Sequence, residues 1–219
     1  MNKIKALLIK DILELKTYKK SLFIILLFYI FYIFFQSKEA NGSYIGVLMI
    51  MLIFSMVPMS TFGYDERTNT SRYLNTLPIS RKEMVLEKYL LTFISIILGA
   101  ILGSIISIIL AYLSTGNIPS INSMLPYIMG GTLGISLIDS IQIIAIYKYG
   151  MEKGRIMLYV MILGLVLIVT LLSYILPKDI YLPNINNDLI MVLIFIIITF
   201  IIYFISYRIS YNIYKKKDA

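Results

Sequence analysis

Apolar residues run through this chain in stretches too long for the strands or helices of a soluble core, and each stretch ends at a charged cluster or a proline- or glycine-bearing loop. A helix needs about 20 apolar residues to cross a bilayer core of ~30 Å. Within that core every backbone amide must be bonded inside the protein, which leaves helices or closed barrels. The run lengths suit helices and place spans at about 21–37, 43–63, 84–113, 124–147, 156–176 and 188–207. The first run is slightly short, and Lys19, Lys20 and Ser37 extend it because lysines snorkel toward the interface. With 59% hydrophobic and 15% charged residues and a mean hydropathy of +0.85, the chain is too apolar for a soluble domain. The expected fold class is all-α: one polytopic transmembrane domain over residues 1–219.

The basic residues orient these spans. Of the 20 Lys and Arg, all but Lys38 and Lys178 fall on one side when six spans are drawn. Cytoplasmic flanks carry the excess of Lys and Arg, so both termini and the polar stretch 64–83 are expected in the cytoplasm. The net charge of +8 lies beside apolar runs, where it serves topology and anionic lipid. Nucleic acid is not an expected partner. The first residues lack the short apolar core and cleavage site of a secretory signal, so the first span is expected to stay in the mature protein.

Residues 1–20 place Ile4, Leu7, Leu8, Ile12 and Leu15 at helical spacing, with Lys3, Lys10, Asp11, Glu14 and Lys16 mostly off that stripe. This pattern predicts an amphipathic helix in the cytoplasmic interface, its apolar face in the acyl boundary and its lysines among headgroups. Pro58 is expected to kink the second span. In the third, Ser95, Gly99, Gly103, Ser107 and Ala111 stand four apart, a strip where another helix approaches closely, within the subunit or between subunits.

Absences narrow the chemistry. With no Cys and no His there is no thiolate nucleophile, disulfide, imidazole base or imidazole metal ligand. No Gly is followed by Lys, so no phosphate-binding loop of the Gly-x-x-x-x-Gly-Lys type exists. No catalytic residue and no metal site is expected. Asp65 and Glu66 form an acidic pair on the polar stretch, read as solvated and favoured electrostatically at a helix N-terminus.

Asp139 is the costly group. It lies nine positions before Lys148, about 13 Å from the boundary, where a carboxylate costs roughly 2.5–3.5 kcal/mol on insertion scales. Ser136, Ser140 and Gln142 flank it, and no intramembrane Lys or Arg offers a counter-charge. It either lines a cavity with Gln142, meeting cargo or a proton, or is a hydrogen-bonded packing residue.

The stretch 64–83 holds the densest charge away from the chain ends. Asp65 or Thr68 can start a short helix, Tyr73, Leu74 and Leu77 give it an apolar edge, and Pro78 stops it. Ser80-Arg81-Lys82-Glu83 has the form of a capping box, in which the Ser oxygen and Glu carboxylate satisfy the first free amides of the next helix.

Tyr64-Asp65-Glu66, Arg72-Tyr73, Thr76-Leu77-Pro78-Ile79-Ser80-Arg81, Val85 and Lys88-Tyr89, following a second span, resemble the signature loop of small type-2 ABC transporter permeases. Tyr147-Lys148-Tyr149-Gly150 with Glu152-Lys153-Gly154-Arg155 is similar to that family's loop between its fourth and fifth spans. The nearest type within it is the permeases that export peptide toxins such as phenol-soluble modulins from Gram-positive bacteria. The resemblance implies a bacterial cytoplasmic membrane and a pair of six-span subunits, identical or diverged. It also implies a separate ABC ATPase, carrying ATP and Mg, docked on a coupling helix within 64–83. Tyr64, Asp65, Glu66, Arg72, Tyr73, Leu77, Pro78 and Arg81 are then the coupling residues, and an amphipathic peptide or hydrophobic molecule is the cargo. The alternatives are a proton- or cation-coupled secondary transporter or small channel using Asp139, and a non-transport membrane protein such as an immunity or assembly factor.

Overall fold

The computed structural model describes residues 3–36, 42–157, 159–160, 163–164, 167 and 188–216. They form α1 (Lys3–Gln36), α2 (Gly42–Arg67), α3 (Thr70–Thr76), α4 (Arg81–Thr115), α5 (Ile121–Tyr149) and α6 (Asp188–Lys216), with a further helical segment starting at 151. Among the described residues there is no strand. Among the described residues four stretches are long and apolar enough to cross a membrane: Tyr44–Arg67, Arg81–Thr115, Ser123–Tyr149 and Val192–Lys216. The two halves of α1, Lys3–Ser21 and Phe23–Phe35, meet at 58° and add a fifth only if the bent pair is taken as one span. Most of the expected span 156–176, and the loops around 38–41 and 177–187, lie outside the described residues.

α4 lies against α2, α5 pairs with α6, and α1 packs on α2 and α4. The small-residue strip is what lets α4 approach. Ser95, Gly99, Gly103, Ser107 and Ala111 are all buried. A Cβ on Gly99 would come within 2.9 Å of the Phe54 Cβ and 3.0 Å of the Met51 Cα. One on Gly103 would stand 3.1 Å from the Val47 carbonyl oxygen. The seam therefore lies inside the subunit, between α4 and α2. Val47, Met51, Ile96, Met124 and Ile135 close the core around it.

Pro58 sits inside α2 without interrupting it. Thr61 donates to the Pro58 carbonyl at 2.9 Å. Tyrosines join the other helices. The Tyr89 hydroxyl of α4 bonds with Ser206 and Ser210 of α6, and Ser206 donates to the Ser140 carbonyl of α5 at 2.9 Å. Apolar side chains cover the outside: Phe28 is 68% and Phe200 70% exposed, as expected where lipid rather than water is the neighbour.

The N-terminal half of α1 meets the apolar half at 58°. Leu7 and Asp11 are buried and Ile4, Leu8, Lys10, Glu14 and Leu15 half-buried, while Lys3, Lys5, Lys16, Ile9, Ile12 and Leu13 are exposed. Partners contributed by α2 and α4 draw Lys10 and Asp11 in. The acidic pair departs from its expected place. α2 runs on through Tyr64, Asp65 and Glu66 to Arg67, so the pair closes one helix rather than opening another.

Candidate functional site

The polar stretch between α2 and α4 is a compact elbow. Thr68 donates to the Tyr64 carbonyl at 2.8 Å as α2 ends. Asn69 then takes a left-handed conformation, φ 52° and ψ 30°, which Asn tolerates better than most residues. α3 follows, and Leu77 ends it in extended geometry ahead of Pro78. Ser80 and Glu83 form the complete capping box, so α4 starts at a fixed point.

Lys88 holds the elbow from below. It is 5% exposed, and its Nζ donates to Asp11 Oδ2 at 2.6 Å and Thr61 Oγ1 at 3.1 Å, and pairs with Asp65 Oδ2 at 2.8 Å. The Phe62 ring centroid lies 5.0 Å away. Lys10 bridges the same carboxylates, 3.0 Å from Asp11, 2.5 Å from Asp65 and 3.4 Å from Glu14. The carboxylate atoms of Asp11, Glu14 and Asp65 lie within 4.8 Å of one another, and the Lys10 ammonium takes the position a metal ion would need.

The residues contributed by α1 lie ahead of its apolar run, and their protonation follows from this packing. Burial alone would raise the Asp11 carboxyl, but the Lys88 ammonium, a Glu87 hydrogen bond and Lys10 outweigh it and hold the group below the usual carboxylate range. Burial opposes the charge on Lys10 as well, yet Asp11 and Asp65 raise it above an ordinary lysine. Glu14 goes the other way, with burial pushing its carboxyl up. Asp11 and Lys10 thus remain charged at neutral pH and tie α1, α2 and α4 together.

Three further bonds brace the elbow. Lys3 donates to the Pro78 carbonyl. Arg81 donates to the Lys215 carbonyl at 2.8 Å and lies 5.9 Å from the Tyr214 ring, so it caps the end of α6. Glu66 accepts the Met151 backbone N–H at 2.7 Å, placing a carboxylate at the start of the helical segment after Gly150, where the backbone dipoles favour one. The two loops carrying the sequence resemblance therefore touch.

Of the expected coupling residues, Asp65, Glu66, Arg81 and the Pro78 carbonyl are engaged in these braces. Tyr73 is 66% exposed, Tyr64 and Leu77 are half-buried, and Pro78 is exposed. The Arg72 side chain lies outside the described residues.

Asp139 and Gln142 lie apart from the elbow. Both are buried and line a cavity of about 330 Å³ between α2, α5 and the segment after Gly150. No lysine or arginine pairs with Asp139 among the described residues.

Sequence reasoning missed Lys10, Asp11, Glu87 and Lys88 as a group. The signal was there in part: Asp11 falls midway between Leu7 and Leu15 on a four-residue spacing, and Glu87-Lys88 stands between the apolar residues 84–86 and 89–91. Lys88 is a buried cation whose partners are Asp11 and Asp65 rather than Asp139.

No curated protein and no solved structure matches the chain. A family model described as ABC-2 family transporter protein matches residues 6–215, a range that includes the elbow, the loop that meets it and all but the outermost residues of the helices described above. The chain therefore belongs to the ABC-2 family of transporter proteins, the type-2 ABC transporter permeases.

Proposed function

We propose that the chain is the permease subunit of an ATP-driven exporter of amphipathic or hydrophobic cargo. It works in a pair with a second permease subunit, and a separate ATPase docks at the elbow from the cytoplasm. The observation that carries this is the contrast within 64–83. Tyr73 projects from a short helix, while the residues on either side are bonded to α1, α4, α6 and the segment after Gly150. An exposed aromatic on a rigid mount suits a protein contact, since aromatic side chains are enriched at binding hot spots. A solvated connector has no use for such bracing. Force applied to α3 would pass into α4 through the Ser80 cap and into α1 through Lys10 and Lys88.

The test is ATP hydrolysis by the partner ATPase reconstituted with this chain. Tyr73→Asp and Leu77→Asp are expected to abolish the stimulation that the permease gives, with insertion unchanged. Unaltered stimulation rejects the docking role. If export also collapses on adding an uncoupler while ATP is present, Asp139 becomes the working group of a proton-coupled carrier instead.

A further inference from the structure

The cavity that holds Asp139 is lined by one acidic and two basic side chains. Asp139 is 2% exposed, and its Oδ2 has no hydrogen-bond partner among the described residues. Arg67, in the last turn of α2, and Arg155, just beyond Gly150, line the same cavity. The bond from Met151 to Glu66 sets the end of α2 level with the end of α5. Asp139 lies ten residues before that end, about 15 Å of helix rise. Met56, Met59 and Met151 line the space as well, flexible and polarizable walls that adapt to varied apolar shapes. At about 330 Å³ the cavity is near the lower end for small-molecule sites, roughly 300–1,000 Å³.

A buried acid facing a cavity either takes up a proton or is ionised against a counter-charge; the described residues supply no such charge, so an occupant that brings an ammonium would be held there. A purely cationic occupant would be opposed by the two guanidiniums, whereas one with an acidic group at the far end would pair with them. We propose that this cavity binds a small zwitterionic amphiphile, with its ammonium on Asp139, its acidic group on Arg67 and Arg155, and its apolar body against the methionines. A short apolar peptide with free termini is the simplest such molecule. Three extended residues span about 10 Å, and the reach of the Asp and Arg side chains covers the remainder. That the bound molecule is cargo rests on the exporter reading; that it binds does not.

The experiment uses the full chain in lipid nanodiscs and radiolabelled trileucine, measured by scintillation proximity without ATPase or nucleotide. Saturable binding of the free peptide is expected, with N-acetylation and C-amidation each weakening it at least tenfold. In Asp139→Asn the free and N-acetylated peptides should bind alike, and in Arg67→Gln/Arg155→Gln the free and C-amidated peptides should bind alike. No saturable binding of free trileucine, or equal binding of the free and doubly blocked peptides to the wild-type chain, overturns the proposal. Those wild-type arms decide it even where a variant folds poorly. Because the ATPase assay with Tyr73→Asp reads a different event, failure of the zwitterion site and failure of the exporter reading are told apart.

Discussion

At the scale of single residues, Lys88 shows how a charge survives burial between helices. Its three polar contacts come from α1 and α2, using the full donor capacity of an ammonium. Removing one member of such a buried set leaves the others uncompensated, which costs about 3–5 kcal/mol. Lys88→Ala is therefore expected to lower the thermal unfolding midpoint of the detergent-solubilised chain sharply, while Lys88→Ala combined with Asp11→Ala and Asp65→Ala recovers part of the loss. A triple variant no better than the single would mean that the pairing contributes little. Residue-level legibility divides along the same line. Asp139 and Gln142 were readable together because three positions along one helix share a face. Lys88 was not, because its partner Asp11 stands 77 positions away, and a lysine near a span end reads as snorkelling until that partner is known.

At the scale of elements, local signals held and tertiary ones did not. The Ser80–Glu83 box and the stop at Leu77-Pro78 depend on neighbours within a few residues, so the sequence could announce them. The continuation of α2 through Asp65 depends on Lys10 and Lys88, and the inward placement of Lys10 and Asp11 on α1 depends on α2 and α4. No periodicity in either segment encodes those partners. The glycine strip was legible as a seam, but its location inside the subunit needed the packing of α4 on α2. That packing gives a graded test. Gly99→Leu forces a side chain against the Phe54 side chain and the α2 backbone at Met51, and overpacking of this kind costs about 1–3 kcal/mol. A Cβ on Gly130 meets nothing within 4 Å among the described residues, so Gly130→Leu serves as the control. Monodisperse yield and unfolding midpoint should fall for the first and stay near wild type for the second; equal effects would place the seam elsewhere.

At the scale of the molecule, the length of α4 relates elbow to membrane. Its 35 residues rise about 52 Å, well beyond the ~30 Å hydrocarbon core, so roughly 20 Å must stand clear of the hydrocarbon. The charged residues Arg81, Lys82, Glu83, Glu87 and Lys88 all lie at one end of α4 and none at the other, which assigns the protruding part to the elbow side. Lys and Arg concentrate on the side that holds Arg67, Arg72, Lys148 and Arg155, and from the positive-inside bias we propose that this side is cytoplasmic. The opposite end, around Ile118, carries no charge and is 70% exposed. Because the chain contains no Cys, single substitutions report side directly. Ile118→Cys is expected to react with a membrane-impermeant maleimide on intact cells, and Tyr73→Cys only in inside-out vesicles. The reverse pattern would put the elbow outside, where no ATP-hydrolysing partner could reach Tyr73, and would remove the physical basis for coupling through α3.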